Sequence, residues 1–311
     1  MYARFLLGLG ILGFAICCDS PSNLPTTIAD SPSPCEIERL IVVSIDGPRY
    51  SETWGHVNQR HIPYMAKELA PQGVLYTQFF NEGLTLTMSG HNALLSGHYE
   101  ALNNEGHQWP SSPSWLKHYL KTTGKPSSKA YLIAGKRKLL ALQDCQDPLW
   151  RNQYNPHLDA SNRSDSATFA AALQILDEDT PDLAMIHFRE VDAHGHANDW
   201  DAYIASIEET DAFMSELWKF LNTHPYYRDK TALWITHDHG RHLLSNGGFR
   251  HHGDKCEGCR RISLLALSPC IPRGLVVDRH AELIDIFPTI STIFGFETEQ
   301  GKGEVLLELI P

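Results

Sequence analysis

Six short apolar runs recur along the chain, and each has the composition of a buried strand. The first covers residues 39–45 and is rich in β-branched side chains without polar alternation, which is typical of a strand buried on both faces. The other five have the same character, and they cover residues 74–80, 130–134, 183–188, 232–235 and 262–267. We therefore predict six buried strands.

Segments with apolar positions at helical spacing lie between and after these runs. They cover residues 115–121, 167–176, 202–221 and 281–294. Strands that alternate with helices favour a mainly parallel sheet covered on both sides. The sequence shows no internal repeat and no second linker after Pro34. We predict one α/β domain over residues 36–311, built as a three-layer αβα sandwich with a mainly parallel central sheet.

The N-terminus has the pattern of an export signal. Arg4 precedes an apolar run over residues 5–16, which has the length of a signal-peptide core and is too short to span a membrane comfortably. The run ends in Cys17-Cys18, which resembles the lipobox of bacterial lipoproteins, where the new N-terminal cysteine carries acyl chains. We predict a signal peptide or lipobox over residues 1–18 and a polar, Pro-rich linker over residues 19–35. The protein would then be a periplasmic or cell-envelope lipoprotein anchored at Cys17 or Cys18, with ordinary cleavage or an uncleaved anchor helix as alternatives.

Export implies an oxidising compartment, in which cysteines can pair. Five cysteines remain after the signal, and an odd number leaves at least one without a partner in the chain. Cys256 and Cys259 have C-x-x-C spacing, and we expect a disulfide between them. A redox pair, or half of a zinc knuckle with His251 and His252, are the alternatives.

Composition limits the choice of partners. The chain has 311 residues, of which 42% are hydrophobic, and this is enough for one large core. The formal charge of −11 argues against a nucleic-acid-binding surface, which requires a basic stripe. A small phosphorylated substrate remains compatible with this charge, because bound metal ions can supply a local positive field.

Acidic and histidine side chains stand next to the predicted strands. Ligands collect beyond the carboxyl ends of strands in open α/β sheets, so residues at these ends converge on one edge. Carboxylate and imidazole groups are ligands that zinc accepts, with manganese or iron possible. The residues concerned are Asp46 after the first strand, Asp192 and His196 after the fourth, Asp238 and His239 after the fifth, and His251 and His252 before the sixth.

A hydroxyl group stands where a strand exit passes into a helical stretch, within residues 84–97. The N–H groups and the dipole at a helix N-terminus favour an anion such as phosphate. The neutral Thr87 hydroxyl is a weak nucleophile, but a bound divalent cation can convert it to the alkoxide. The alternative is that Thr87 or Ser89 serves only as the N-cap of the helix.

These motifs, taken in order, resemble the alkaline phosphatase superfamily, and within it the nucleotide pyrophosphatase/phosphodiesterase-like and phosphatase-like branches. The resemblance runs from Val42 to Gly295. Its parts are Asp46-Gly, Thr87 four residues before His91, Asp192-x-x-Gly-His196, Asp238-His239-Gly, His252-Gly and Ile284-Asp-Ile-Phe-Pro-Thr-Ile.

The resemblance implies a hydrolase that uses two divalent metal ions, with zinc expected. One ion would be held by Asp192, His196 and His252, with His251 as the alternative to His252. The other would be held by Asp46, Asp238 and His239, with the oxygen of Thr87 beside it. Thr87 would attack the phosphorus of a small phosphorylated substrate, and water would hydrolyse the resulting phospho-threonine. The flanking His194 and His237 are expected either to support the ligands from behind or to be structural.

Other functions are compatible with parts of this pattern. Asn103, Asn104 and Arg49 are candidates to bind a phosphoryl oxygen, although turn-forming or surface roles are alternatives. The sulfatase branch carries a Cys or Ser in a Cys/Ser-x-Pro-x-Arg context, which the sequence around Thr87 lacks. A phosphoethanolamine-type transferase and a zinc-binding protein without catalysis remain alternatives. Monoester and diester substrates both remain open.

Overall fold

The computed structural model describes Met1, residues 35–296 and residues 301–311. Apart from Met1, the predicted signal peptide lies outside the described residues, together with the lipid-anchor candidates Cys17 and Cys18 and most of the predicted linker. Within the described part of the chain, no helix is both long and apolar enough to cross a membrane.

Nine strands form one sheet in the order β4-β3-β5-β1-β6-β7-β2-β8, and β9 pairs with β2. The strands are β1 Arg39–Ile45, β2 Gly73–Phe80, β3 Ala130–Ala134, β4 His157–Ala160, β5 Leu183–Phe188, β6 Thr231–Thr236, β7 Arg261–Leu267, β8 Leu275–Val277 and β9 Ala281–Glu282. All six predicted strands are present, and their ends differ from the prediction by at most one residue. β4, β8 and β9 were not predicted, because they are short and only partly buried.

Seven α-helices lie in the described part of the chain. They are α1 Thr87–Ser96, α2 Trp115–Thr123, α3 Asp165–Glu178, α4 Glu190–Ala197, α5 Trp200–Thr223, α6 Glu257–Arg260 and α7 Ile286–Phe294. The prediction of one helix over residues 281–294 is wrong at its start. Residues 281–282 form β9, and the Asp285 side chain accepts a hydrogen bond from the Glu282 N–H, so the α-helix begins only at Ile286.

Both faces of the sheet are covered, which confirms the three-layer architecture. Successive side chains of β1 enter opposite cores: Leu40 and Val42 pack in the core that contains α1, α2 and α7, whereas Ile41 and Val43 pack in the core that contains α3 and α5. This alternation follows from the two-residue period of a strand. The apolar composition of β1 therefore reflects burial on two sides.

The strand directions place one set of strand ends at one edge. β1 is parallel to β5 and β6, whereas β7 is antiparallel to both β6 and β2. Because β7 runs in the opposite direction, its N-terminal end meets the carboxyl ends of β1, β5 and β6. A residue just before β7 can therefore reach the same edge as residues just after β1, β5 and β6.

A disulfide joins Cys35 at the start of the described domain to Cys270 after β7. The expected disulfide between Cys256 and Cys259 is wrong, because both carry free thiols, as does Cys145. A pairing across 235 residues of sequence depends on the tertiary fold, so residue spacing does not reveal it.

Candidate metal centre and active site

The candidate ligands meet at the carboxyl edge of the sheet. Asp46 directly follows β1, and Asp192 lies in the first turn of α4, after β5. Asp238 and His239 follow β6, and His252 lies in the segment that leads to β7. Ligand atoms of Asp46, Asp192 and His239 all lie within 4.8 Å of one another. The antiparallel direction of β7 explains why His252 joins residues that follow the parallel strands.

The inner ligand group consists of Asp46, Asp238 and His239, whose side chains are all fully buried. His239 Nε2 lies 3.5 Å from Asp46 Oδ1 and 3.3 Å from Asp238 Oδ2. Asp46 Oδ1, both carboxylate oxygens of Asp238 and His239 Nε2 have no hydrogen-bond partner among the described residues. Buried carboxylate oxygens without partners are costly, and a divalent cation would satisfy all four atoms. The inner group therefore fits a metal ion.

The outer ligand group consists of Asp192, His196 and His252. Asp192 Oδ1 lies 3.3 Å from Nε2 of each histidine, and the two Nε2 atoms are 2.9 Å apart. The rings of His252 and His239 stack with centroids 3.9 Å apart, so the inner and outer groups are in contact. One carboxylate and two imidazoles are a common zinc donor set, so the outer group fits a metal ion as well.

Backbone carbonyls orient two of the imidazoles. His252 Nδ1 lies 2.7 Å from the Thr85 carbonyl oxygen, and His239 Nδ1 lies 2.9 Å from the Gly240 carbonyl oxygen. Because a carbonyl can only accept, each Nδ1–H donates and each Nε2 keeps its lone pair for a metal. The side chain of His251 instead faces His242 at a ring separation of 6.5 Å. The structure therefore brings His252, and not His251, to the outer group.

Thr87 is the first residue of α1, and its side chain is buried. The N-cap of α1 is Leu86, without a side-chain cap, and Ser89 Oγ accepts from the Leu102 N–H instead. Neither hydroxyl therefore has the capping role that was the alternative. A Cβ atom at Gly90 would lie 2.5 Å from the Asp238 carbonyl oxygen, so the first turn of α1 packs directly on Asp238. Thr87 therefore lies on the helix end next to the inner group.

His91 links the helix to the inner group. Its Nδ1 donates to the Thr87 carbonyl oxygen at 2.8 Å and lies 3.2 Å from Asp238 Oδ2, without hydrogen-bond geometry to that oxygen. Its Nε2 lies 3.0 Å from Ser44 Oγ. Burial opposes protonation of His91, yet the neighbouring Asp238 raises the pKa of the ring above its ordinary value. His91 is therefore a positioning residue for the start of α1.

The three candidate substrate-binding residues have different environments. Asn104 Oδ1 accepts hydrogen bonds from the Met88 N–H and from Lys138 Nζ, both at 3.1 Å, so its side chain lies beside the start of α1. Asn103 is an exposed turn residue whose Oδ1 accepts from the Glu105 N–H at 2.6 Å. The Arg49 guanidinium is buried and already paired, with Glu52 at 2.6 Å and 2.9 Å. Of the three, only Asn104 lies beside the start of α1, whereas Asn103 is exposed and Arg49 is occupied by Glu52.

Sequence reasoning missed two cations at the site. Lys136, two residues after β3, places Nζ 2.6 Å from Asp46 Oδ2 and 2.5 Å from Asp192 Oδ2. Arg241 is fully buried and donates to Asp192 Oδ1 and to the carbonyl oxygens of Phe249 and Arg250. Lys136 follows a predicted strand, so the strand-end argument could have found it. Arg241 follows β6 in the same way.

The two glycines near Arg241 make room for its side chain. Gly47 has φ +73°, and a Cβ there would lie 2.9 Å from an Arg241 guanidinium nitrogen. A Cβ at Gly195 would lie 2.5 Å from the same guanidinium. Glycine is therefore required beside Asp46 and beside His196, because any larger residue at Gly47 or Gly195 would collide with Arg241.

Electrostatics keep the ligands in their metal-binding protonation states. Burial alone would raise the pKa of Asp192, but Lys136 beside it holds that pKa well below its usual range. Burial lowers the pKa of His239 to about 4. It also lowers the pKa of His187 to about 4, and Nε2 of His187 lies 3.0 Å from Asp46 Oδ2. The carboxylate of Asp192 is therefore charged and the imidazole of His239 is neutral at neutral pH, as metal binding requires. His187 was missed because it lies inside an apolar strand.

Comparison with known proteins agrees with the sequence resemblance. The family model described as Type I phosphodiesterase / nucleotide pyrophosphatase matches residues 100–253. The fold is similar to that of a protein in the alkaline phosphatase superfamily from Vibrio parahaemolyticus, with a TM-score of 0.67 and 13% identity over 89% of this chain and 71% of that one. It is also similar to murine ectonucleotide pyrophosphatase / phosphodiesterase 5, with a TM-score of 0.64 and 13% identity over 86% of this chain and 97% of that one.

A sulfatase from Formosa agariphila is 27% identical over 96 residues, which is 31% of this chain and 18% of the sulfatase. The matched part of the chain spans about a fifth of the length of the curated relatives. The residues matched by the family model include the outer group, Asp238, His239 and Lys136. Asp46 and Thr87 lie before the matched residues in sequence, and the fold places them at the same edge of the sheet. The matched family model and the similar folds support the resemblance to the alkaline phosphatase superfamily.

Proposed function

We propose that this protein is a metal-dependent phosphoric ester hydrolase that uses Thr87 as its nucleophile. The observation that carries the proposal is the set of four buried, unpartnered ligand atoms of the inner group, next to the helix turn that begins with Thr87. Proteins retain such costly buried groups mainly at functional sites. The match to a phosphodiesterase family model supports phosphorus, rather than sulfur, as the reacting atom.

The chain's own residues account for substrate binding. The N-terminal end of α1, which begins at Thr87, favours a phosphoryl anion through the helix dipole. Asn104 Oδ1 is engaged by the Met88 N–H and by Lys138, which leaves its Nδ2 group as a donor to a phosphoryl oxygen. Lys136 adds positive charge between the two ligand groups. These groups would orient the phosphorus against Thr87 Oγ1.

The reaction proceeds in two displacements. In the first, Thr87 Oγ1 gives up its proton to solvent and bonds to phosphorus while the ester P–O bond breaks, and the leaving group departs with the bonding electron pair. In the second, water attacks the phospho-threonine, phosphate or a phosphomonoester is released, and the Thr87 hydroxyl is regenerated. Two divalent ions, which we propose to be zinc with manganese or iron as alternatives, would be held by the inner and outer groups and would supply positive charge for the attacking and leaving oxygens.

A sulfate ester is the second candidate substrate. The similarity to a curated sulfatase over 96 residues favours it. Thr87 stands against it, because the sulfatase nucleophile is made from a Cys or Ser in a motif that this chain lacks. A transferase of the phosphoethanolamine type would use the same phospho-threonine but would require an acceptor other than water.

The test is turnover of p-nitrophenyl phosphate, bis-p-nitrophenyl phosphate and p-nitrophenyl sulfate by wild type and Thr87→Ala. Thr292→Ala is the matched control, because its hydroxyl bonds only the Pro288 carbonyl oxygen within α7. We expect wild type to release p-nitrophenol from at least one phosphate ester. Thr87→Ala should lose this activity, and the control Thr292→Ala should keep it. Turnover of the sulfate alone, or full activity in Thr87→Ala, would overturn the proposal. Turnover that rises severalfold with an added alcohol would indicate the transferase.

We also propose that the protein is exported and held at the cell envelope by a lipid on Cys17 or Cys18. The disulfide between Cys35 and Cys270 supports an oxidising compartment. Detergent phase partitioning of the expressed full chain tests the anchor, with the double variant Cys17→Ser, Cys18→Ser as comparison. Equal partitioning of both proteins into the aqueous phase would contradict the proposal.

A further inference from the structure

Four metal-ligating side chains gather outside the candidate active site. His242, Asp254, Cys256 and Cys259 each offer one ligand atom, and these atoms all lie within 4.8 Å of one another. We call them the loop cluster, because all four lie in the segment between β6 and β7. His242 Nε2 is buried without a hydrogen-bond partner among the described residues, and it lies 3.2 Å from Asp254 Oδ2.

The local backbone brings the cluster together. The Cys256 N–H donates to Asp254 Oδ1 at 2.9 Å, and the Cys259 N–H donates to the Cys256 carbonyl oxygen at 3.1 Å. This single helical turn places the two thiols on one side, three residues apart. Cys259 is fully buried, His242 and Cys256 are half-buried, and Asp254 is exposed.

The donor set determines the ligand class. Two thiolates, one imidazole nitrogen and one carboxylate oxygen complete a four-coordinate site with no position left for water or substrate. Thiolates select zinc over magnesium and calcium, and a closed tetrahedral set is the mark of a structural rather than a catalytic zinc site. Binding of Zn²⁺ would release the two thiol protons to solvent.

We propose that the loop cluster binds one structural zinc ion, separate from the metal ions of the candidate active site. A zinc ion at this position would stabilise the loop that carries His252. The His242 N–H donates to the His251 carbonyl oxygen at 2.9 Å, and Thr85 Oγ1 donates to the Asp254 carbonyl oxygen at 2.8 Å. Two members of the cluster, His242 and Asp254, thus restrain the backbone just before and just after His252. The Nδ1 atom of His252 itself contacts the Thr85 carbonyl oxygen. A zinc ion there would hold a ligand of the outer group in place.

Zinc content of the purified full chain tests the proposal. Cys256→Ser should lose one zinc equivalent relative to wild type, whereas the matched control Cys145→Ser, which removes a buried free thiol elsewhere, should lose none. Asp238→Ala should lose a different equivalent, and the loss in the double variant Cys256→Ser, Asp238→Ala should be the sum. This outcome does not depend on whether the protein hydrolyses any ester.

Two measurements on wild type need no variant that might misfold. An organomercurial that titrates the thiols should release one zinc equivalent in step with two thiols, as followed with a colorimetric zinc indicator. Substitution by Co²⁺ should produce a thiolate-to-metal charge-transfer band. A disulfide between Cys256 and Cys259 in the purified protein, or unchanged zinc content in a folded Cys256→Ser, would overturn the proposal.

Discussion

The Nζ atom of Lys136 lies 2.6 Å from Oδ2 of Asp46. The same nitrogen lies 2.5 Å from Oδ2 of Asp192, so one ammonium joins a carboxylate of the inner group to a carboxylate of the outer group. Both carboxylates are almost completely buried. Lys136 therefore partly neutralises two buried negative charges that would otherwise repel each other, and it keeps them together before any metal binds.

Replacing Lys136 tests this role. Lys136→Met should destabilise the metal-free protein by about 3–5 kcal/mol, because two buried carboxylates lose their shared counter-ion. Saturating zinc should recover much of this loss, since the metals then carry the compensating charge. Urea unfolding with and without a chelator measures both quantities. Lys138→Met is the control, because Lys138 bonds Asn104 rather than either carboxylate, and an equal loss in both variants would contradict the assignment.

Replacing Asp238 by Asn should abolish activity without lowering the stability of the metal-free protein. Its two oxygens are buried without hydrogen-bond partners among the described residues, so Asp238→Asn removes from the metal-free protein a buried negative charge that no hydrogen bond satisfies. We expect this variant to unfold at the same or a higher urea concentration than wild type in chelator, yet to lose activity and one metal equivalent. Unchanged metal content by elemental analysis would refute the ligand assignment.

Asn104 and its neighbour Asn103 form a natural matched pair. Asn104→Ala should lower kcat by about 10- to 100-fold, because a hydrogen bond to the phosphoryl group and the support of the Met88 N–H are both lost. Asn103→Ala should change kcat little, since Asn103 is exposed and its side chain bonds the Glu105 N–H of its own turn. Steady-state kinetics on the best p-nitrophenyl ester compares them. Equal effects of the two substitutions would remove Asn104 from the site.

His118 should make the fold sensitive to acid. Its ring packs against Trp150 and Phe296, and burial lowers its pKa from 6.5 to about 4. The folded state therefore binds this proton more weakly than the unfolded state. Stability is complete above pH 6.5 and falls as the pH drops from 6.5 toward about 4, by about 3 kcal/mol from this group.

Replacing His118 by Phe keeps an aromatic ring and removes the titration. Between pH 6.5 and about 4, the free energy of unfolding of His118→Phe should fall by about 3 kcal/mol less than that of wild type. Urea denaturation at a series of pH values provides the comparison. Parallel curves for the two proteins would show that another group causes the acid sensitivity.

The sheet was predictable because its central strands are buried on both faces, which leaves apolar runs that are easy to recognise. The candidate ligands could be picked out for a related reason: Asp46 directly follows one such run, and Asp238 lies two residues after another. Lys136 also follows a strand, but a lysine after a glycine resembles a surface residue until its two carboxylate partners are known. His187 was hidden because it is a polar residue within a buried strand, and only the position of Asp46 explains it.

The cysteines show the limit of local spacing. Cys256 and Cys259 are close in sequence, and proximity alone suggested a disulfide. The chain places Asp254 and His242 beside them, which changes the favoured chemistry from a disulfide to a metal site. Cys35 pairs with Cys270 because the start of the domain lies beside the segment after β7, a relationship that depends on the completed fold.

The most direct test of the account is detection of the covalent intermediate on Thr87. The metal-loaded enzyme would be mixed with the best phosphate ester, quenched in acid during turnover, digested and examined by mass spectrometry. We predict one phosphoryl or phosphodiester adduct, located at Thr87 in the peptide that contains Thr87–Ser96 and absent from Thr87→Ala. An adduct on another residue, or steady turnover in Thr87→Ala without any adduct, would contradict the central claim.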